Sequence, residues 1–120
     1  MRVGIDIVEI ERVKNIADND IRLATLFTQK EIKYFKKFAD LATHVAGAFC
    51  AKEAISKALK TGFTGKVLPL DIEILHEESG APYAILKGGA KEVYDTLGVS
   101  QMEISISHDK SKATAICIMV

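Results

Sequence analysis

The sequence predicts an α+β fold in which a mostly antiparallel sheet packs against one long helix. The chain opens with a strand-like stretch, helical periodicity follows up to about residue 60, and short alternating segments separated by turn residues fill the second half. The 120 residues correspond to one ordinary domain, residues 1–120, which is long enough to bury a hydrophobic core.

Composition narrows the class of protein further. Hydrophobic residues make up 48% of the chain and charged residues 27%, a balance typical of soluble globular proteins. The 16 Lys and Arg residues balance 16 Asp and Glu residues, so net charge indicates neither a nucleic acid nor a membrane as partner. No segment has the pattern of a signal peptide or a membrane span, and we expect a cytoplasmic protein. Cys50 and Cys117 lie among apolar residues, which predicts two reduced, buried thiols.

The first element is predicted as a strand that gives way to a helix at about residue 9. Val3, Ile5 and Ile7 alternate with their neighbours, which predicts that their face of the strand lies in the core. Asp6 interrupts this apolar stretch, although strands are poor in Asp. It is either a solvent-facing or helix-capping carboxylate or a metal-binding or catalytic group, and the residue alone leaves both possibilities open.

Two short helices are predicted next. The first ends at Asn19 and Asp20. The second begins at Thr28, because Thr28 and Glu31 have the spacing of a capping box, in which each side chain satisfies a free backbone amide of the other residue.

The third helix is the longest and spans about residues 41–60, with Asp40 as N-cap and Gly62 after its end. It is apolar in almost every direction, which is typical of a buried helix. Glu53 and Lys57 nevertheless share one face. They form either an exposed ion pair worth about 0.3–0.5 kcal/mol or a metal ligand beside a phosphate-neutralising charge.

The second half is predicted to contain two antiparallel strand pairs and one helix. In order, these are strands over 71–75 and 83–87, a helix over 90–97, and strands over 102–107 and 113–120. The last strand is almost entirely apolar, which favours a central position in the sheet. His108 follows a strand, where it is either a turn residue or a group that binds phosphate or transfers a proton.

Four segments together resemble one family. They are GIDIVEIERV near the start, AGAFCAKEAISKALKTGF in the long helix and after it, GAPY in the hairpin turn and SISHDKSKATA near the end. In this order they resemble the short bacterial 4′-phosphopantetheinyl transferases, the holo-[acyl-carrier-protein] synthase family, over essentially the whole chain. The resemblance implies the 4′-phosphopantetheinyl transferase fold.

The resemblance also implies a reaction. The 4′-phosphopantetheine arm of coenzyme A would be transferred to a serine of an apo acyl carrier protein in fatty acid biosynthesis, with release of adenosine 3′,5′-bisphosphate. Two alternatives stay open: a transferase that serves polyketide or peptide-synthesis carriers, and a catalytically idle module that keeps the fold and only binds coenzyme A or a carrier.

By the same resemblance, Asp6 and Glu53 bind a catalytic Mg²⁺ and Lys57 offsets charge on the leaving side. Two protein ligands are enough for this ion, since Mg²⁺ keeps several waters and takes one or two carboxylates beside substrate phosphates. Either Glu53 or a metal-bound water would deprotonate the serine. Lys52 would hold coenzyme A phosphates, or would extend along the apolar flank of the helix.

The resemblance further implies a homotrimer with active sites at subunit interfaces. A neighbouring subunit would contribute its coenzyme A ligands: Ser107, His108, Pro82 and Tyr83. The acidic carrier protein would dock on the first helix, with Arg12, Lys14 and Arg22 as its contacts.

This chain departs from the family pattern at two positions. Ala48 stands where many relatives have Arg, and Ala81 stands where the turn often has Lys. Two positive charges are therefore absent, and the substrate either binds more weakly or is held by other lysines such as Lys60 and Lys66.

Overall fold

The order of strands and helices confirms the predicted α+β class. The computed structural model describes residues 1–120, which form β1 (Arg2–Glu9), α1 (Ile10–Ala17), α2 (Asp20–Leu26), α3 (Gln29–Phe35), α4 (Leu41–Ala58), a 3₁₀ turn (Pro69–Asp71), β2 (Ile72–His76), β3 (Pro82–Leu86), α5 (Gly88–Thr96), β4 (Met102–His108) and β5 (Lys112–Met119). None of the helices combines the length and the apolar character needed to cross a membrane.

All strand pairs are antiparallel. Strands β1, β5 and β4 form one sheet in that order, and β2 pairs with β3 as a separate hairpin. The apolar strand β5 is central, as predicted, and α4 packs across the sheet. Cys50 and Cys117 are free and buried, in agreement with the prediction.

The prediction for the buried face of β1 is wrong. Val3, Ile5 and Ile7 are 59%, 62% and 64% exposed, and the opposite face, which carries Gly4, packs against α4. A Cβ atom on Gly4 would lie 1.8 Å from the carbonyl oxygen of Ala54, so this face must be small where the helix crosses it. Alternation shows which residues share a face, but not which face a helix covers.

One helix was not predicted. Asn19 and Asp20 mark the end of α1, but Asn19 also begins α2, because its Oδ1 accepts hydrogen bonds from the amides of Ile21 (3.0 Å) and Arg22 (3.1 Å). The capping box at Thr28 and the N-cap at Asp40 are confirmed.

Candidate active site

Helix α4 lies directly on the large sheet and separates two groups of polar side chains. A Cβ atom on Gly47 would lie 2.9 Å from the side chain of Ile106 on β4, so the helix also approaches this strand closely, although less closely than it approaches β1 at Gly4. Asp6 and Ile106 both pair with Ala115 of the central strand, so the three residues form one row on the face under the helix. Asp6 and Ile106 are therefore about 10 Å apart, on opposite sides of the central strand.

On the β1 side, Asp6, Glu53 and Lys57 form what we call the carboxylate cluster. The Nζ atom of Lys57 donates to Oδ1 of Asp6 (3.1 Å) and to the carbonyl oxygen of Ile5 (2.9 Å). The Asp6 carboxylate is mostly buried, at 17% exposure, whereas Lys57 is half exposed. Glu53 precedes Lys57 by one helical turn, so the cluster joins β1 to one face of α4.

Charge in this cluster is unbalanced in favour of the acids. The pKa of Glu53 is raised, first by burial and then by the neighbouring Asp6 carboxylate, while Lys57 acts in the opposite direction. A second positive charge would relieve this repulsion. No third His, Cys, Asp or Glu side chain joins the pair. Two carboxylates fit a hard cation that takes its remaining ligands from water and substrate, and they do not fit a closed structural site.

Cys50 lies beside the cluster but has no reactive character. Its Sγ donates to the carbonyl oxygen of Ala113 at 3.4 Å. Burial, with the negative charge of Asp6 as a further cause, raises the pKa of the Cys50 thiol to about 12. The thiol therefore stays protonated near neutral pH and is a poor nucleophile.

On the β4 side of α4 lies a groove that we call the histidine groove. Its lining includes His44, His76, His108, Pro82 and Tyr34, together with Ala48 and Gly80. The structure thus places His108 and Pro82 together, as the resemblance implies, and adds two histidines that sequence reasoning missed. The only feature of the sequence that could have pointed to them is that the chain has just three histidines; no motif connects them.

The carboxylate cluster and the histidine groove face away from each other. Nine residues separate His44 from Glu53 on α4, which at about 100° per residue places them on opposite sides of the helix and about 13 Å apart along its axis. The chain therefore carries two separate groups of polar side chains.

The buried position of Lys52 contradicts the prediction that this residue binds coenzyme A phosphates. Its Nζ is buried and donates to Oε1 of Glu31 (2.9 Å) and to the carbonyl oxygens of Leu26 (2.8 Å) and Pro69 (2.9 Å). All three donors are used inside the protein, and none is available to a ligand. The prediction failed because Glu31, which satisfies Lys52, lies 21 residues away and belongs to another helix.

Two further predicted coenzyme A ligands lie outside the histidine groove. Ser107 is exposed and borders a shallow depression beside Ile7 and Thr114, on the sheet face opposite α4. Tyr83 is 40% exposed and lines the neighbouring groove, together with Tyr34 and the α3 lysines. His108 borders the same depression as Ser107, but neither Ser107 nor Tyr83 lines the histidine groove itself.

The predicted docking residues are exposed, but acidic neighbours accompany two of them. Arg12 lies 4.0 Å from Glu9, and Nζ of Lys14 lies 3.0 Å from Glu11, which raises the pKa of Lys14. Arg22 is exposed on α2. The surface around α1 therefore carries mixed charge, and its docking role remains a prediction.

Comparison with known proteins agrees with this fold. The family model described as the 4′-phosphopantetheinyl transferase superfamily matches residues 2–117. Among curated relatives, the holo-[acyl-carrier-protein] synthase of Thermoanaerobacter sp. (strain X514) is 50% identical over 119 residues, which are 98% of this chain and 86% of the relative. The synthase of Clostridium acetobutylicum is 44% identical over 118 residues, 98% of this chain and 94% of that protein.

Solved structures give the same result. The Helicobacter pylori holo-[acyl-carrier-protein] synthase in complex with coenzyme A has a TM-score of 0.83 and 31% identity, over 98% of this chain and 99% of that one. The Bacillus anthracis enzyme in complex with CoA (3′,5′-ADP) has a TM-score of 0.82 and 32% identity, over 98% and 94%. The chain belongs to the holo-[acyl-carrier-protein] synthase family of 4′-phosphopantetheinyl transferases.

Proposed function

We propose that this protein transfers the 4′-phosphopantetheine arm of coenzyme A to a serine hydroxyl of an apo acyl carrier protein. The observation that carries the proposal is the carboxylate cluster, which joins Asp6 and Glu53 with Lys57 in a chain similar throughout to holo-[acyl-carrier-protein] synthases. Related structures that contain coenzyme A support the donor substrate. We place the reaction in fatty acid biosynthesis in the cytoplasm.

Asp6 and Glu53 would hold a Mg²⁺ ion in this proposal. The donor set fits, because two carboxylates repel each other in a partly buried site and Mg²⁺ prefers oxygen ligands. When bound, the ion supplies positive charge to the diphosphate of coenzyme A.

The protein's own groups account for the rest of the transfer. The serine oxygen bonds to the phosphorus that bears the pantetheine arm, and the bond from that phosphorus to the oxygen of adenosine 3′,5′-bisphosphate breaks. Lys57 offsets the charge that develops on this leaving group. Glu53 accepts the serine proton in its ionised form.

The decisive experiment incubates the protein with an apo acyl carrier protein, coenzyme A and Mg²⁺ and measures the intact mass of the carrier. We expect the mass to rise by one phosphopantetheine group, with no rise for Asp6→Asn at the same low Mg²⁺ concentration. Carriers from fatty acid, polyketide and peptide synthesis, compared in parallel, identify the preferred substrate. Coenzyme A binding without modification of any carrier would instead identify a binding module.

We also propose that the active protein is a homotrimer. The face of the large sheet opposite α4 exposes Val3, Ile5, Ile7 and Ile118, an apolar surface that association would bury. Association also offers a way to unite these two groups of side chains, since the carboxylate cluster of one subunit can meet the histidine groove of the next. The number three comes from the family resemblance.

Light scattering tests this assembly, and we expect three times the mass of one chain. Ile5→Lys should shift the mass towards the monomer and abolish transfer, because it places a charge in the apolar face. Lys91→Gln, on the exposed surface of α5, is the matched control and should remain trimeric. A monomeric wild-type protein with full activity would refute the trimer.

A further inference from the structure

Three lysines lie along one face of α3 and the turn that follows it. They are Lys30, Lys33 and Lys37, whose spacing of three and four residues places them side by side on a helix. All three are exposed, and with Tyr34 and Tyr83 they line a groove between α3 and the β2–β3 hairpin. We call this surface the α3 lysine face.

No carboxylate of α3 balances these charges. None of the three lysines forms an ion pair, whereas Lys36 of the following turn pairs with Asp20 on α2 at 3.5 Å. The only acid in α3 is Glu31, which is fully buried and pairs with Lys52. Glu31 is therefore not available to an exposed lysine.

The hairpin supplies one acid whose charge interacts with this face, and its carboxylate already has partners. The side chain of Glu73 on β2 is 6% exposed and lies 3.5 Å from Nζ of Lys87. It also accepts a hydrogen bond from the hydroxyl of Thr28. Burial acts to raise the pKa of Glu73, but Thr28, Lys87 and Lys30 together lower it. Glu73 is thus held away from solvent and leaves the outer part of the lysine face unbalanced.

The positive charge of the face is local, because the protein as a whole carries no net charge. Lys33 has a like charge three residues before it and four residues after it, and repulsion at these spacings weakens a helix. The acids of the hairpin turn, Glu77 and Glu78, are exposed and do not line the groove. A partner that carries carboxylates would relieve repulsion that the chain itself leaves in place.

In the proposed trimer, the α3 lysine face lies near the active site. Tyr34 and His76 line both the histidine groove and the groove beside the lysines. Where the histidine groove of one subunit meets the carboxylate cluster of the next, the lysines of the first subunit border the same opening. A folded domain of about 100 residues has a radius of gyration of about 13 Å. A carrier protein whose serine enters the cluster would therefore cover the protein surface for some distance around it.

We propose that the α3 lysine face docks the acidic acyl carrier protein, alongside the α1 surface of the neighbouring subunit. The inference rests on the proposed function, which supplies the acidic partner. Charge complementarity favours α3, because acidic neighbours accompany Arg12 and Lys14 on α1 but none pairs with the α3 lysines. The face spans about 10 Å along the helix axis. This length suits two turns of an acidic helix better than a nucleic acid strand, which proteins hold in longer basic grooves.

Such a surface acts mainly on association. Exposed ion pairs are individually weak and are screened by salt, but positive charge opposite an acidic partner raises the rate at which the two proteins meet. Removal of two of the lysines should raise the KM for the carrier by about three- to tenfold at low salt, and by less at high salt. The KM for coenzyme A and kcat should not change, because the carboxylate cluster is untouched.

The test compares the assembled wild-type protein with a variant that combines Lys33→Gln and Lys37→Gln. The matched control combines Lys36→Gln with Lys91→Gln, which removes the same charge from positions outside the face. Steady-state transfer to an apo acyl carrier protein measures the KM for the carrier and the KM for coenzyme A separately, at low and high salt. Biolayer interferometry without Mg²⁺ measures association of the carrier in the absence of turnover. We expect a raised carrier KM and slower association for the first variant, and wild-type values for the control.

An unchanged carrier KM and association rate in the folded Lys33 and Lys37 variant would overturn the proposal. An equal loss in the control would also overturn it, because net charge alone would then explain the effect. A raised KM for coenzyme A with an unchanged carrier KM would assign the lysines to coenzyme A instead. Weaker binding of a single-stranded DNA oligonucleotide with unchanged carrier binding would assign them to nucleic acid, and either result refutes carrier docking.

The same measurements separate this inference from the proposed function. If the wild-type protein modifies the carrier and the lysine variant behaves like it, the inference fails and the proposed function stands. If the wild-type protein modifies no carrier, the proposed function fails, and the association rates still decide whether the α3 lysine face docks one.

Discussion

Replacement of Lys52 by Met tests whether Lys52 stabilises the fold or binds the substrate. Lys52 and Glu31 form an ion pair whose side chains are 2% and 0% exposed, with 2.9 Å between Nζ and Oε1. Burial lowers the pKa of Lys52, while Glu31 acts to raise it. The substituted Met would fill a similar volume, but it would leave the Glu31 carboxylate buried without its counter-charge.

The expected loss of stability is large. Breaking a buried ion pair by removing one partner typically costs about 3–5 kcal/mol. Glu31 keeps its hydrogen bonds from the amides of Thr28 and Ile74, both 2.9 Å, so these bonds limit the cost. The carbonyl oxygens of Leu26 and Pro69 lose a donor, which adds to it. We expect the free energy of unfolding to fall by about 3–5 kcal/mol.

Urea denaturation measures this change, and steady-state kinetics at a temperature where the variant remains folded measures the KM for coenzyme A. The double variant Lys52→Met with Glu31→Gln is the control, and it should recover part of the stability because no buried charge is left unpaired. We expect KM to stay near the wild-type value. A loss below about 1 kcal/mol together with a raised KM would restore Lys52 as a phosphate ligand and refute the structural role.

Four other outcomes are expected. Asp6→Asn should reduce turnover by orders of magnitude at low Mg²⁺, with partial recovery as the metal concentration is raised. The metal-free Tm should change little, because the variant loses an ion pair with the half-exposed Lys57, worth about 0–1 kcal/mol, and also loses the repulsion between Asp6 and Glu53. Because the pKa of Glu53 is raised on folding, its contribution to stability is present below the unfolded pKa and is lost as pH rises through the folded pKa; Glu53→Gln should abolish this dependence in urea titrations of the metal-free protein. Gly4→Ala should destabilise the fold by about 1–3 kcal/mol or more in the same assay, since its Cβ would meet the backbone of Ala54, and a neutral result would contradict that close approach. Arg12→Glu should slow association with the carrier, with a loss that shrinks at high salt; an unchanged KM for the carrier at low salt would remove Arg12 from the docking surface.

Local chemistry made most elements predictable from sequence. The Thr28 capping box and the Asp40 N-cap each depend on residues within three positions, so both could be located before the fold was known. The missed helix α2 shows the limit of this reasoning, because Asn19 is both a stop signal and a start signal and the sequence does not say which applies.

The pairing of Asp6 with Glu53 came from resemblance to a family. The structure then showed a contact that the sequence spacing does not indicate. Lys57 contacts Asp6, which lies 51 residues away in the chain, and the two are close only because α4 lies on β1. In the same way, no pattern connects His44, His76 and His108, which come from three elements and meet in one groove.

The sequence by itself determined the order of the elements other than α2, the helix caps that were recognised and the candidate acids, because each depends on neighbouring residues or on a motif. The tertiary structure alone decided which face of β1 the helix α4 covers and that Lys52 forms a buried ion pair with Glu31. It also placed the carboxylate cluster and the histidine groove on opposite sides of α4. These features depend on where a helix lies on a sheet, which is set by contacts between residues far apart in the chain and leaves no local pattern to read.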